Sequence, residues 1–214
     1  MLVSIEESLD NRWTGSWSDI LPPYMNEYQY WLGGLNGGCT EDMYFHFYGN
    51  GGGPRHELSQ RNMMEPNIAA LFGVEDGTIF CEDIFGCQFA WLPSGAIDIL
   101  DIHGMERYTI ADSFEFFIED AVEDKELFAE TRKLADDWSR NGGALAPLKT
   151  LSYLIPPLLG GDDGDVANLI LVDCMVNVSI AAQIIQAVKG LNPGTILDDV
   201  NIDFSSGIIE FGKD

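Results

Sequence analysis

Positively charged residues are scarce in this chain of 214 residues. Lysine and arginine together number 11 against 35 aspartates and glutamates, so the formal net charge is −24. Such a surface repels nucleic-acid phosphates and anionic lipids, which argues against nucleic-acid and membrane partners. It favours association with a positively charged partner, but it also keeps a protein soluble, so charge alone does not identify the partner.

Cysteine and histidine are also few, and neither is spaced as in zinc sites. The four cysteines lack a CxxC pair, which predicts reduced thiols in a cytoplasmic protein. The histidines His46, His56 and His103 are far apart, so a zinc site would have to be assembled from separate segments. We therefore expect no metal and no cofactor, with one strand histidine and two loop histidines in local hydrogen bonds.

Export and membrane signals are absent from the pattern as well. The chain starts with acidic residues where a secretory signal needs basic ones. The apolar stretch 166–188 contains Asp173, and an aspartate in mid-span costs about 2.5–3.5 kcal/mol on insertion into a membrane. We expect a buried strand and a buried helix there, in a cytoplasmic protein.

Catalytic signatures are missing too. No Gly-x-Ser-x-Gly motif is present. The run Asp162-Asp163-Gly164-Asp165 resembles the start of a calcium loop, but glycine occupies the third ligand position and Asp173 the twelfth, where a glutamate is needed. Carboxylates are so numerous that chance pairs are expected, and no pair stands out as a glycosidase dyad. No catalytic residue is predicted, and a binding role is favoured.

The apolar patterns that are present predict an α+β fold, a mostly antiparallel sheet with helices packed on it. Strand patterns occur at 43–48, and three further runs at 78–81, 88–92 and 96–100 have the spacing of an antiparallel meander. Helical patterns lie at 18–32, at 67–72, after a cap at Asp112 or Ser113, at 126–138 and at 181–188. We predict one domain over 1–214, with a C-terminal portion from about residue 145 that contains a strand at 169–172, a helix and a closing hairpin.

The order of several short motifs adds a family resemblance. The motifs are Leu21-Pro22 with a helix running to Asn36-Gly37-Gly38, the central run 81–90, Ser113-Phe114-Glu115, Asn141-Gly142, Leu154-Ile155-Pro156, Leu159-Gly160-Gly161, Asn168-Leu169 and Pro193-Gly194-Thr195. Their layout resembles bacterial members of the SUKH superfamily, and the C-terminal third is similar to a branch associated with type VI secretion immunity. The chain lacks basic residues that this branch usually carries before the Gly-Gly pair and after the Asn-Leu strand.

The resemblance implies a SUKH-like domain that binds and neutralises a cognate toxin protein in the cytoplasm of the cell it protects, without catalysis. Acidic residues and one aromatic residue that the pattern places in loops are candidate partner contacts. They are Glu82, Asp83, Trp91, Asp101, Asp162, Asp163 and Asp165. Trp91 has a second interpretation, since a tryptophan in a strand is more often a core residue. A regulatory interaction scaffold and a carboxylate-based hydrolase remain as alternative functions.

Overall fold

The computed structural model describes residues 2–3, 21–32, 36–50, 55–63, 67–192, 194–195, 197 and 200–212. The strands are β1 (Leu2–Val3), β2 (Gly38–Thr40), β3 (Phe45–Phe47), β4 (Thr78–Asp83), β5 (Gln88–Trp91), β6 (Ile97–Asp101), β7 (Glu106–Ala111), β8 (Lys149–Tyr153), β9 (Leu169–Asp173), β10 (Asn201–Asp203) and β11 (Ile208–Glu210). The α-helices are α1 (Asn26–Leu32), α2 (Leu58–Asn62), α3 (Ile68–Leu71), α4 (Phe114–Phe116), α5 (Ala129–Arg140) and α6 (Cys174–Val188).

The main sheet is a meander. Strands β1 to β7 follow one another in sequence order, and each pairs antiparallel with the next. Two further pairs, β8 with β9 and β10 with β11, form separate two-stranded sheets. The α+β class and the central meander are therefore confirmed, whereas β1, β2, β7 and β8 were not among the predicted strands.

One face of the sheet is aromatic and is covered by helices. Phe45 and Phe89 from β3 and β5 meet Phe117, with ring centroids 5.8 Å and 5.3 Å apart. Phe117 follows α4, whose N-cap is Ser113, because the Ser113 hydroxyl accepts a hydrogen bond from the Phe116 N–H. The helix predicted after this cap continues as a π-helix over Phe117–Glu123.

Two other predicted helices differ in their bounds. The helix predicted at 126–138 begins as a 3-10 turn at Glu126–Phe128 and continues as α5. The beginning of the first predicted helix, near Ser18, lies outside the described residues, and its remainder corresponds to the turn Pro23–Met25 and α1.

The opposite face of the sheet carries a row of polar side chains. The register places His46 of β3 opposite Glu82 of β4, and Glu82 opposite Gln88 of β5. Since paired residues point to the same face of a sheet, the three side chains lie side by side. Helix α2 covers this row with Arg61, and Met175 of α6 contacts the same guanidinium.

The C-terminal portion packs against the turn between β4 and β5. The Leu151 N–H of β8 donates to the Ile84 carbonyl, and the Asn177 side chain of α6 donates to the Phe85 carbonyl, at 2.6 Å and 2.8 Å. Helix α6 begins after Asp173, whose carboxylate accepts from the Met175 N–H. The predicted strand, helix and closing hairpin of this portion are confirmed. In the described part of the chain, no helix has the length and apolar character needed to cross a membrane.

Candidate functional site

The segment between β8 and β9 is organised by a single asparagine. The Asn168 side chain donates to the carbonyls of Ile155 and Asp162 and accepts from the Ile155 N–H, at 2.9, 3.0 and 2.8 Å. A Cβ at Gly161 would lie 1.8 Å from the Ile155 carbonyl oxygen, so only glycine permits this close approach. The segment is thus a defined scaffold that presents its neighbouring side chains at fixed positions.

The predicted acidic turn extends from this scaffold into solvent. Asp162, Asp163 and Asp165 are all exposed, as predicted. The Asp162 carboxylate accepts from the Gly164 N–H and the Asp165 carboxylate from the Ala167 N–H, each at 2.9 Å. No described residue forms an ion pair with any of the three, so their charges are available to a partner.

Beside the scaffold lies an open groove with a volume of about 960 Å³. Its described lining comes from the segment after β8, the C-terminal end of α6 and the stretch leading into the closing hairpin, with Met105 added from the β6–β7 turn. The lining residues are Met105, Leu154, Ile155, Pro156, Leu158, Leu159, Gly160, Val188, Gly190, Leu191, Asn192, Gly194, Thr195, Leu197, Val200, Ile202 and Phe204. No charged side chain is among them.

The groove has an apolar base and exposed apolar edges. At its base Leu158 and Val188 pack on a small core that includes Ile184 of α6. At its edges Ile155 is 57 % exposed and Leu191 is 42 % exposed. Contiguous exposed apolar surface is uncommon on single chains and marks sites where another molecule binds.

Three predicted contact residues are core residues of strands. Glu82 and Asp83 end β4 and Trp91 ends β5, with exposures of 1 %, 4 % and 2 %. The Trp91 ring stacks on Phe114 with centroids 4.5 Å apart. A partner cannot reach these side chains, so their prediction as loop contacts is wrong.

Asp101 is the last residue of β6 and not a loop residue as predicted, and its carboxylate shapes the turn that follows. It is partly buried and accepts hydrogen bonds from the N–H groups of His103 and Gly104, at 2.9 Å and 3.0 Å. Its first role is therefore to shape the β6–β7 turn, which carries Met105 to the edge of the groove.

Glu82 belongs to a buried polar network that the sequence patterns do not indicate. Its carboxylate is 2.8 Å from the Arg61 guanidinium and 2.9 Å from His46 Nδ1, and it accepts from the Gln88 amide. Burial raises the pKa of Glu82, but the charges of Arg61 and His46 outweigh burial and lower it to about 2. Glu82 is therefore ionised and balances the buried arginine.

The network continues through two histidines to the backbone. His46 Nε2 lies 3.0 Å from His56 Nδ1, and His56 Nε2 lies 2.5 Å from the Asn36 carbonyl oxygen. With the Glu82 contact this makes three contacts, which need three ring protons, one more than two neutral imidazoles carry. Burial and the neighbouring His46 lower the pKa of His56 to about 4, so His56 is neutral at pH 7.

The pKa of Asp83 is shifted in the opposite direction from that of Glu82. Its carboxylate accepts from the N–H groups of Phe85 and Cys87, both at 2.9 Å, and no described cation pairs with it. Burial raises the pKa of Asp83 to about 8, although these two hydrogen bonds lower it. Asp83 is thus protonated at pH 7 and serves the turn after β4.

Each of the three histidines contacts a partner from another segment of the chain. His46 lies in β3 and His56 near the start of α2, while His103 Nε2 lies 2.7 Å from the Phe85 carbonyl oxygen. Among the described residues, no group of three or more potential ligands is arranged to hold a metal ion. The pairing of His46 with His56 was not predicted, because the strand register that aligns His46 with Glu82 is not visible in the sequence.

Comparisons with known proteins bear on the fold. No protein-family model and no curated protein matches this sequence. A crystal structure of Atu4351 from Agrobacterium tumefaciens is similar, with a TM-score of 0.56, 20 % sequence identity, and coverage of 81 % of this chain and 83 % of that one. Structural similarity at this sequence identity supports the α+β architecture over most of the chain and does not indicate a function.

Proposed function

We propose that this chain is a non-enzymatic binding protein, a SUKH-like immunity protein that neutralises a bacterial toxin by direct contact in the cytoplasm. The observation that supports this most is the apolar groove beside the acidic turn. Its edges expose Ile155 and Leu191, and its described lining contains no charged group. Apolar surface bordered by polar residues is typical of protein interfaces.

The distribution of charge favours a basic toxin. Every described lysine and arginine except Lys189 is within ion-pair distance of an aspartate or glutamate of the chain itself. The excess of acids therefore stays uncompensated at the surface, where it speeds encounter with a positively charged protein.

The hydrolase alternative has one feature in its favour, the contact between Glu82, His46 and His56. A carboxylate that orients a histidine is a common catalytic arrangement. All three side chains are buried, however, with exposures between 1 % and 6 %. A substrate would need an opening in the fold to reach them, so we favour binding over catalysis. Turnover with a bell-shaped pH profile, lost in His46→Gln, would favour the hydrolase.

The regulatory-scaffold alternative predicts partners other than a toxin.

The test is protection of cells from the toxin encoded beside this chain. We expect co-expression to restore growth and the two purified proteins to form a stable complex. Reversal of Asp162, Asp163 and Asp165 to lysine is expected to abolish protection. A matched control reverses three exposed acids near the π-helix, Glu123, Asp124 and Glu126, and is expected to retain protection. Absence of both complex and protection would refute the proposal.

A further inference from the structure

We propose that the groove receives an amphipathic helix of the toxin, with the helix's apolar side in the groove and its lysines or arginines beside Asp162, Asp163 and Asp165. This inference rests on the proposed function and names the partner element that the site takes.

The shape of the groove fits a helix better than a small molecule. Ligand pockets of about 300–1,000 Å³ usually bury most of the ligand's surface. Here Leu154, Ile155 and Leu191 stand at the edges with 43 %, 57 % and 42 % of their surface exposed. An occupant would be covered on one side only. A helix about 10 Å wide binds with one side in a groove, while its opposite side stays in solvent.

The chemistry of the lining supports an apolar helix face. The polar side chains in the described lining are Asn192 and Thr195, and the Thr195 hydroxyl already donates to the Asn192 carbonyl at 2.7 Å. Few groups remain to fix the orientation of a polar ligand. Apolar side chains recurring every three or four residues along a helix would instead contact Leu158, Val188 and Ile202 at the base.

The negative charge of the chain favours some possible occupants of the groove over others. The acidic turn adjoins the groove, since Asn168 ties the backbone of Asp162 to that of Ile155. A second copy of this chain would bring two acidic turns and two net charges of −24 together. Anionic lipid is repelled in the same way. A helix flanked by cations is attracted, so a basic protein segment is the occupant that the surface favours.

The probe is a set of peptides of about 16 residues, held helical by a lactam bridge on the solvent side. One peptide carries leucines in a helical stripe with lysines along one flank. A second replaces the lysines by glutamates, and a third has the lysine peptide's composition without the stripe. Binding to the full chain is measured by fluorescence anisotropy. We expect the lysine peptide to bind and the other two to bind at least about tenfold more weakly.

Substitutions in the chain locate the binding. Ile155→Asp and Leu191→Asp alter exposed side chains, so the fold is expected to persist, and each should weaken binding by roughly 30-fold. Tyr30→Asp alters a more exposed large side chain outside the groove and should change affinity by less than about twofold. The combined substitutions Asp162→Asn, Asp163→Asn and Asp165→Asn should reduce both the affinity and its salt dependence. Lys189→Gln removes the cation next to Val188 and Gly190 and should not weaken binding.

The outcomes are distinct from those of the protection test. Equal binding of the lysine and glutamate peptides, or binding insensitive to Ile155→Asp, overturns the helix inference even if the chain protects cells. Groove-dependent peptide binding without protection refutes the immunity function, and with it the toxin as the source of the helix, while the groove remains a site for a basic amphipathic helix. A dimer in sedimentation, or binding to anionic vesicles, overturns the inference if Ile155→Asp abolishes it, because the occupant is then a second copy or a membrane.

Discussion

Single buried charges in this protein are held by partners that lie far away in sequence. Glu82 is ionised in the core because Arg61 and His46 surround it, whereas Asp83, the next residue, has no described cation and is protonated. Neighbouring acids on one strand thus have pKa values on opposite sides of neutrality. The difference follows from which face of β4 each side chain points to.

Glu82→Gln tests the buried pair. The substitution keeps the size of the side chain but leaves the Arg61 charge unbalanced, so we expect the free energy of unfolding to fall by about 3–5 kcal/mol. Urea denaturation measures the change. Asp163→Asn, the matched removal of an exposed acid, should stay within about 0.5 kcal/mol of the original protein. An equally small effect for Glu82→Gln would show that the pair does not contribute.

Asp83 gives a pH dependence with a defined sign. Its folded pKa of about 8 lies above the ordinary value of 3.8, so between these values the folded state holds a proton that the unfolded chain has lost. Stability from this group therefore rises as pH falls through about 8, by up to about 1.4 kcal/mol per pH unit. Asp83→Asn should remove this slope between about pH 7 and pH 5, as denaturation at a series of pH values would show. An unchanged slope in the variant would show that the proton is bound by a group other than Asp83.

At the scale of elements, the segment from β8 to β9 decides the shape of the groove. At Gly161 the backbone lies close to the Ile155 carbonyl, and the Asn168 side chain hydrogen-bonds the carbonyls of both Ile155 and Asp162. The acidic turn and the groove edge are thus positioned by one connection. A change that moves this segment is expected to affect both.

Gly161→Ala tests that connection against a control in the same segment. A Cβ at position 161 would meet the Ile155 carbonyl oxygen at 1.8 Å, so the backbone must shift, and we expect a lower melting temperature and loss of peptide binding in the groove. A Cβ at Gly164 would lie 3.5 Å from the nearest atom, the Asp162 carboxylate. Gly164→Ala should therefore retain both properties. Equal behaviour of the two variants would contradict a fixed scaffold.

The sequence predicts elements better than their pairing. The meander, the strand and helix around residue 173 and the closing hairpin follow from local apolar patterns. Strand β7 has mostly exposed side chains, so it lacks the alternation that marks a half-buried strand. The strand pattern ends at Cys81 and so assigns Glu82 and Asp83 to a loop, whereas their burial in β4 depends on tertiary neighbours.

The site was predictable only in part for the same reason. Asp162, Asp163 and Asp165 stand next to glycines in a polar run, and such runs are exposed turns. The groove joins residues from the segment after β8, from α6 and from the closing hairpin. Each of these segments has an ordinary apolar pattern, and only the fold shows which side chains stay uncovered.

At the scale of the whole molecule, charge controls how partners approach. Since all described lysines and arginines but Lys189 are paired internally, the acidic excess acts as a field on other molecules. We expect the association rate with the toxin to fall by about tenfold or more between about 0.02 M and 0.5 M salt, and the dissociation rate to change less. Stopped-flow mixing measures both rates. A salt-independent association rate would mean that the acidity serves solubility alone.

The central claim is that this chain binds a toxin through the groove. Equilibrium titration of the toxin encoded beside it, with the original chain and with Ile155→Asp, tests this claim most directly. The account predicts tight binding by the original chain and a loss of roughly 30-fold or more in the variant, with an unchanged melting temperature. Equal affinity of the two chains, or no binding by the original chain, would contradict it.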